Sequence, residues 1–499
     1  MITSNLSAIQ VVLPLLAAPV CSLLRFRGSA WLFTTVVCAA SFLVSIQLLM
    51  QVNTSGPISY HMGGWAPPWG IEYYVDQLSA FVLMLISGIG TIVMLYARQS
   101  VNAEINRSQH ALFYTSFLLC LAGLLGMTIT GDAFNLFVFL EISSLSSYVL
   151  ISLGGRQDRR AYTAAFTYLI TGTIGATFIV IGIGLLYMIT GTLNMADLSE
   201  RLVDLSDNRT IRVAYAFVII GISVKLALFP LHIWLPNAYS FAPSVVTIFL
   251  ASTATKVALY VFLRFNFNVF SMDQAFTSLT MEMIVLPISV IAMFSASIVA
   301  VFQDDVKRVL AYSSVAQVGY MTLGISLGSL AGVSAGILHL FNHALIKGGL
   351  FMALGCFALR VGGTRLSKLR GLGREMPLTM SAFVLGGLSL IGVPLTAGFI
   401  SKWALIMAVM GRDWWWVAAA ILISSLIAVV YVWRVVETIY IAERPTGAAP
   451  VREAPLSMLA PMWFMVFANL YFGISTDFSL GLAKSAAESL LGAGLGTGP

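Results

Sequence analysis

The stretch ILHLFNHALIKGGLF, residues 337–351, is strongly apolar, yet it carries His339, His343 and Lys347. The three residues are four positions apart, so on an α-helix they form one stripe that turns only slowly around the axis. Titratable groups on one side of an otherwise apolar helix require polar neighbours on that side. The stretch therefore predicts a buried helix that faces other polar groups inside the protein.

The composition of the whole chain indicates the class of protein. Of its 499 residues, 59% are hydrophobic and only 10% are charged, whereas soluble domains carry about 25% charged residues. The chain is therefore predicted to be an all-α, multi-pass membrane protein. No basic residue precedes Arg25, so we expect no cleaved signal peptide. We attribute the net charge of +6 mostly to Lys and Arg residues in the loops. It is therefore no evidence for a nucleic-acid partner, and none is expected.

The lengths of the apolar segments predict the number of helices. A membrane-spanning helix needs about 20 mostly apolar residues, and windows of this kind predict about fourteen transmembrane helices. The predicted spans are 6–24, 30–51, 76–97, 111–130, 133–153, 162–190, 213–236, 243–265, 281–303, 309–330, 332–359, 379–410, 414–441 and 457–480.

Alternate loops between these segments differ sharply in charge. The loops predicted to face inward hold sixteen basic residues, namely Arg25, Arg27, Arg98, Arg107, Arg156, Arg159, Arg160, Lys307, Arg308, Arg360, Arg365, Lys368, Arg370, Arg374, Arg444 and Arg452. The outward side holds six, namely Arg201, Arg209, Arg212, Arg264, Arg412 and Lys484. Because basic loops stay in the cytoplasm, we expect a plasma-membrane protein with both termini on the outer side.

Seven charged residues lie inside apolar segments, namely Glu141, Lys225, Lys256, Lys347, Lys402, Arg434 and Glu437. A charge at the bilayer centre costs about 2.5–3.5 kcal/mol on insertion scales, so such residues are expected to face the bundle interior, to pair or to contact water. Arg434 and Glu437 are three residues apart near a helix end, where we expect them to neutralise each other.

Lys225 and Lys402 each lie close to a proline inside a predicted span. Pro230 and Pro394 each free a backbone carbonyl and are expected to kink or break their helices. Broken helices at membrane depth line cavities or polar paths, so a lysine beside a break is a candidate for function. A packing kink with a solvated lysine is the alternative for each break.

Buried lysine and carboxylate groups suit proton transfer. Burial favours the neutral lysine and a nearby carboxylate favours the charged one, so moving Glu141 relative to Lys225 would load or unload a proton. The imidazoles of His339 and His343 can relay a proton between lysines. Hydrogen-bonded core histidines are the alternative, and His232 either caps a broken helix or joins the relay.

No metal or cofactor site is predicted. The four cysteines stand singly, without CxxC or Cys/His spacing. The pair His339 and His343 has a spacing that can bind zinc, but no acid or cysteine stands nearby and Lys347 would repel the cation.

Six motifs then resemble one family, and they occur in its order. They are GDAFNLFVFLEISSLSSYVL, KLALFPLHIWLPNAYSFAPS, STATKVALYVFLRF, VKRVLAYSSVAQVGYM, HLFNHALIKGGLF and GVPLTAGFISKW. They resemble the antiporter-like, proton-translocating subunits shared by respiratory complex I, membrane-bound hydrogenases and the Mrp-type Na⁺/H⁺ antiporters. The resemblance covers about residues 75–440.

The resemblance implies a fold of fourteen helices with two inverted five-helix repeats, each with one broken helix. The implied domains are the N-terminal helices 1–110, the repeats 111–265 and 281–410, and the C-terminal helices 411–499. It also implies a Glu–Lys pair, a central hydrophilic axis and the terminal lysine of the second half-channel. The implied Glu–Lys pair is Glu141 with Lys225, and the implied terminal lysine is Lys402. The central axis is formed by Lys256, His339, His343 and Lys347. His232 and Lys307 are accessory candidates.

Details within the family favour the Mrp D type. Some complex I subunits usually carry Glu at the position of Lys402, whereas the Mrp D type and one complex I type carry Lys. Tyr239 stands where other types usually have His, which also favours the D type. Gly348 and Gly349 depart from the bulkier residues common there, and we expect close helix packing at them.

The main functional hypothesis is a proton-translocating subunit of a multi-subunit monovalent cation (Na⁺)/H⁺ antiporter, with other membrane subunits as partners. The alternative is a proton-pumping subunit of a complex I-like NADH:quinone oxidoreductase or a group 4 membrane-bound hydrogenase. A solute symporter is disfavoured because no substrate cluster is evident, and an inactive structural subunit because the Glu and Lys set is intact. No catalytic chemistry is expected in this chain, and any redox chemistry would lie in partners.

Overall fold

The fold is described from a computed structural model of the chain. It describes residues 5–24, 28–203, 205, 208–271, 275–447 and 449–492. Arg25 and Arg27, predicted to lie in an inward loop, are outside the described residues.

The described residues form α-helices and a β-hairpin of β1 (Ile58–His61) and β2 (Glu72–Val75), paired antiparallel. The helices are α1 (Leu6–Leu23), α2 (Ser29–Ser55), α3 (Gln77–Glu104), α4 (His110–Ile129), α5 (Ala133–Ser152), α6 (Arg160–Thr190), α7 (Met195–Val203), α8 (Arg209–Leu226), α9 (Trp234–Phe241), α10 (Ser244–Leu263), α11 (Ala275–Thr280), α12 (Leu286–Val301), α13 (Val306–Ser326), α14 (Leu330–Val361), α15 (Leu366–Leu369), α16 (Pro377–Ile391), α17 (Ala397–Met410), α18 (Trp415–Tyr440), α19 (Leu456–Ile474) and α20 (Asp477–Gly492).

Eleven helical segments of the described chain are long and apolar enough to cross a membrane, and each overlaps one predicted span. The other three predicted spans are 213–236, 309–330 and 379–410. The spans 213–236 and 379–410 coincide with the interrupted helix pairs α8–α9 and α16–α17. The span 309–330 coincides with α13, which carries several polar residues. The multi-pass membrane class is confirmed, while the count of fourteen stays a prediction.

Both predicted helix breaks are present. Residues 227–233 separate α8 from α9, and residues 392–396 separate α16 from α17. Pro230 and Pro394 lie in these interruptions, as expected for a residue that lacks an N–H group and cannot continue a helix. Gly392, directly after α16, has a φ of +95°, so the backbone leaves the helix in the left-handed conformation that glycine permits.

Helix α14 forms the centre of the bundle. It packs against α10, α13, α16, α17, α19 and α20, and residues 332–357 are all buried. A Cβ at Gly348 would collide with Met465 of α19 and lie 3.3 Å from Ser252 Oγ of α10. The close helix packing predicted at this glycine is therefore confirmed, and it holds the stripe of His339, His343 and Lys347 inside the protein.

The loops gather on two opposite faces. The hairpin face holds the β-hairpin, where Tyr73 of β2 bridges to Thr130. The arginine-rich face holds the loops that follow α3, α5, α12, α14 and α18. Arg156 there donates to Ile105 O at 2.9 Å, which joins two of these loops. Two of the loops that hold these basic residues are therefore in contact.

Two expectations about arginines are wrong. Arg434 does not depend on Glu437, because its guanidinium donates to Asp304 Oδ1 at 2.7 Å and to the Val301 carbonyl. Arg264 is no loop residue. It is buried at the end of α10 in an ion pair with Asp76. The two residues are far apart in the sequence, so this pair was not predicted.

The repeat boundaries stay a prediction. The interval 281–410 takes in α12, α13, α14 and the broken pair α16–α17, which are four segments. We propose that α18 supplies the fifth and that the second repeat extends to its end.

Candidate functional site

Lys225 lies at the end of α8, directly before the first break, and is buried. Its Nζ donates to Ser144 Oγ at 2.7 Å and to Tyr148 Oη at 3.5 Å, both on α5. Glu141 lies one turn before Ser144, and its Oε1 is buried without a protein hydrogen-bond partner. The Glu141 carboxylate and the Lys225 ammonium interact electrostatically. The predicted pair is thus close in space, and the hydrogen bonds of Lys225 go to hydroxyls.

Gly172 on α6 leaves space for the Lys225 ammonium. A Cβ at this position would lie 3.2 Å from Lys225 Nζ and would collide with Tyr148 Oη. The absence of a side chain at Gly172 therefore allows Lys225 to reach its two hydroxyl partners.

A cavity of about 30 Å³ adjoins Lys225. Three serine hydroxyls of α5 line one wall, and Ala254 and Ala258 of α10 line another. Such a volume holds about two water molecules. The cavity lies between Lys225 and the helix that carries Lys256.

The two lysines of the central axis lie on the packed helices α10 and α14. Lys256 Nζ donates to Ala251 O at 2.5 Å. Lys347 Nζ donates to Leu310 O at 2.7 Å and also to Ser313 Oγ, both on α13. Both side chains are fully buried, and both ammonium groups bond to backbone carbonyl oxygens. These carbonyl oxygens can accept a hydrogen bond from a charged ammonium and from a neutral amine, so neither lysine needs a charge to keep its partner.

His339 and His343 lie one turn apart on α14, with ring centroids 6.1 Å apart and planes 15° apart. His339 is bonded at both ring nitrogens, through Nδ1 to Ser401 Oγ at 2.8 Å and through Nε2 to Gln317 Oε1 at 2.7 Å. His343 is buried and has no protein partner at either nitrogen. It lies within electrostatic range of the axis lysines. His339 alone thus fits the alternative of a hydrogen-bonded core histidine.

Lys402 lies on α17, just after the second break. Its Nζ donates to the carbonyl oxygens of Leu390 and Ile391 at 3.1 and 2.9 Å. The last carbonyls of a helix lack partners within the helix, so the end of α16 provides acceptors for this lysine. The Tyr320 ring lies 4.8 Å from Lys402 Nζ, and its centroid lies 5.8 Å from that of His339. Lys402 therefore adjoins the histidine stripe through Tyr320.

The two accessory candidates lie outside this series. His232 is half-buried in the first break and stacks on Phe229, with ring centroids 5.4 Å apart. Lys307 lies at the start of α13 on the arginine-rich face, where its Nζ donates to Ala242 O at 3.1 Å. The structure brings the other seven candidates into one buried series, in the order Glu141, Lys225, Lys256, His343, His339 and Lys402, with Lys347 beside the histidines.

Sequence reasoning missed the neutral partners of these groups. They are Ser144, Tyr148, Gly172, Ser313, Gln317, Tyr320 and Ser401. A partial signal was present, since SSLSSY and YSSVAQ place several polar residues in otherwise apolar helices. Which lysine each hydroxyl meets depends on helix packing, which the sequence does not reveal.

The sequence matches one family of membrane subunits and individual members of two kinds of complex. The profile of the family described as NADH:quinone oxidoreductase/Mrp antiporter matches residues 130–428. The N-type subunit of the NADH-quinone oxidoreductase of Desulforudis audaxviator is 40% identical over 492 residues, covering 95% of this chain and 97% of that protein. The D-type subunit of the Na⁺/H⁺ antiporter of Bacillus subtilis is 29% identical over 492 residues, covering 98% and 97%.

Two solved complexes contain chains of the same fold. A chain of the archaeal membrane-bound sulfane sulfur reductase matches with a TM-score of 0.90 and 31% identity, covering 98% of both chains. A chain of the Mrp complex from Dietzia sp. DQ12-45-1b matches with a TM-score of 0.90 and 27% identity, again covering 98% of both.

Proposed function

Since the chain belongs to the NADH:quinone oxidoreductase/Mrp antiporter membrane-subunit family, we propose that it is the proton-translocating subunit of a multi-subunit Na⁺/H⁺ antiporter. The observation that carries this proposal is the buried series from Glu141 to Lys402, which links the two broken helices. Its four lysines bond to hydroxyls and carbonyls instead of fixed counterions. Such groups can gain and lose protons without breaking an ion pair.

The proposed path has one step at each group. A proton on Lys225 is held by the Glu141 carboxylate and released when that attraction weakens. It passes through the small cavity toward Lys256, and the imidazoles of His343 and His339 relay it to Lys402. In this path Lys347 provides a titratable charge close to His343. In this account the two breaks mark the two ends of the path.

The proposal includes a location and orientation. The chain would lie in the plasma membrane with its arginine-rich face in the cytoplasm, because basic loops are retained there. Both termini would then lie outside. Other membrane subunits would be its partners, as in the Mrp and sulfane sulfur reductase complexes that contain similar chains.

A redox-driven pump is the second candidate, favoured by the 40% identity to the N-type subunit of a NADH-quinone oxidoreductase. Purifying the native complex and identifying its subunits separates the two. Small membrane subunits alone, with Na⁺-driven proton exchange in liposomes, support the antiporter. Iron–sulfur subunits and proton movement that requires an electron donor support the pump.

We expect no ion exchange from the purified chain alone. Antiporter-like subunits work side by side, and the small residues of GGLSLIGVPLTAGF favour close helix approach. The measurement compares Na⁺-dependent proton movement in liposomes that contain the single chain or the whole complex. Exchange by the chain alone, at the rate of the complex, contradicts this prediction.

Gly172→Ala is expected to lower proton flux about tenfold, because displacing a reacting group by roughly 1 Å can cost up to a hundredfold. The added methyl group would collide with the Tyr148 hydroxyl and crowd the Lys225 ammonium, which would disturb the position of Lys225. Gly184→Ala is the matched control on the same helix, since a Cβ there meets no atom within 4 Å. Equal flux in both variants, per assembled complex, would show that the position of Lys225 does not matter.

A further inference from the structure

A second cavity opens on the arginine-rich face, at the loops around the start of α13. Its volume is about 630 Å³, enough for tens of water molecules. Charged side chains line it, namely Arg160, Asp304, Asp305, Arg308 and Arg365. Two of these charges are neutralised by the protein itself, because Arg160 pairs with Asp158 and Asp304 pairs with Arg434. The three that remain are Asp305, Arg308 and Arg365, and a wide cavity lined by charged side chains suits water.

Lys307 is a buried lysine close to residues that line this cavity. It is 6% exposed, and it stands between the lining residues Asp305 and Arg308 in sequence. Its Nζ bonds to the carbonyl of Ala242, the residue after Phe241, which also lines the cavity. Lys307 is therefore a buried titratable group next to the wall of the cavity.

Glu104 faces this lysine from α3. It is 4% exposed, its Oε1 accepts from Ser100 Oγ at 2.8 Å, and its Oε2 accepts from the Ser244 N–H at 2.7 Å. Its carboxylate attracts the Lys307 ammonium electrostatically. A carboxylate near a buried lysine also occurs at Glu141 and Lys225, although Glu141 Oε1 lacks a protein hydrogen-bond partner whereas both Glu104 oxygens have one.

Helix α13 leads from Lys307 to the central axis. Leu310 and Ser313, which hold Lys347 Nζ, follow Lys307 by three and six residues on this helix. At 1.5 Å per residue these positions lie about 4.5 and 9 Å further along the axis. Lys307 thus precedes, on the same helix, the two residues that hold Lys347.

We propose that Lys307 and Glu104 form a second proton-access site, through which water in the cavity exchanges protons with Lys347 without passing Lys225. This inference rests on the proposed function and deepens it. Protons would reach the central axis from the arginine-rich face directly, and Lys307 would have to release its proton inward to Lys347. A fixed positive charge at this position would not suffice.

The test uses Lys307→Cys in the whole complex, in everted vesicles that expose the arginine-rich face. Aminoethyl methanethiosulfonate attaches an ammonium of nearly lysine length that can lose a proton. The trimethylammonium analogue attaches the same charge, which cannot lose one. Parent complex, in which the native cysteines are buried, is treated in parallel as the control.

We expect Lys307→Cys to lower proton flux about tenfold, less than the roughly hundredfold or more typical for a positioned proton-transfer group, because the path through Lys225 remains. Aminoethylation should restore most of the flux and the trimethylammonium reagent should restore little. Parental flux in Lys307→Cys, equal restoration by both reagents, or failure of either reagent to reach the cysteine overturns the proposal. Equal restoration would mean that Lys307 only ties α13 to Ala242.

Glu104 provides an independent test if Lys307→Cys fails to assemble. Glu104→Gln keeps an acceptor for the Ser244 N–H but removes the charge, whereas Ser100→Ala removes only a hydroxyl partner. The proposal expects reduced flux in the first and parental flux in the second, and equal flux in both overturns it. Glu141→Gln, measured alongside, separates the two accounts. If it loses flux while the Lys307 and Glu104 variants do not, only this inference fails.

Discussion

Glu141→Gln is expected to lower proton flux per assembled complex at least about tenfold while the amount of assembled complex stays at the parental level. The replacement has the same shape and removes only the charge. Unit charges roughly 6–8 Å apart interact by about 2–3 kcal/mol at an effective dielectric constant near 20. Losing that attraction removes the charge that the proposed switch at Lys225 depends on.

The structure predicts that this replacement is tolerated in folding. Glu141 Oε1 has no protein hydrogen-bond partner, and Lys225 keeps Ser144 and Tyr148 as acceptors. Glu141→Asp should be milder, because it keeps the charge about one methylene further away. Glu437→Gln on α18 is the matched control, since Glu437 is an exposed residue of a membrane-spanning helix. It should leave flux unchanged.

Lys347→Met is expected to assemble at least as well as the parent and to lose most of its flux. Replacing a buried lysine by an apolar residue lowers the cost of insertion. The two groups that accept from Lys347 also remain bonded to each other after the replacement, because Ser313 Oγ donates to Leu310 O at 2.9 Å. Better insertion combined with about tenfold lower flux cannot come from a damaged fold.

His343→Gln extends this argument to the histidine stripe. Glutamine can form hydrogen bonds but cannot titrate, so flux should fall if His343 relays protons. A purely structural stripe predicts parental flux in Lys347→Met, with the histidine replacement acting only through protein level. Flux per assembled complex, with the level quantified by immunoblotting, distinguishes the two.

The sequence predicted those features that depend on local chemistry. Pro230 and Pro394 cannot continue a helix, so both breaks were predictable. The lysines and the two histidines could be placed inside the bundle because exposing them to lipid is costly. The segment 309–330 is harder to assign by hydropathy, because α13 carries the serines and the glutamine that face the axis.

The partners of these groups depend on packing between distant segments. Arg434 has Glu437 within one turn, yet the Asp304 carboxylate lies 2.7 Å from it across the bundle. Gly172 looks like any glycine of an apolar helix, and only the position of Lys225 gives it a role. The cavity beside Lys307 likewise arises from loops far apart in sequence. Such features follow from how helices meet, which periodicity does not encode.

The most direct test of the central claim is the proton flux per assembled complex of Glu141→Gln and Lys347→Met, measured in the same vesicle preparation as the parent. If protons move along the buried series, both variants lose at least about tenfold while their assembly equals or exceeds that of the parent. Parental flux in both variants, at parental assembly, would contradict the account.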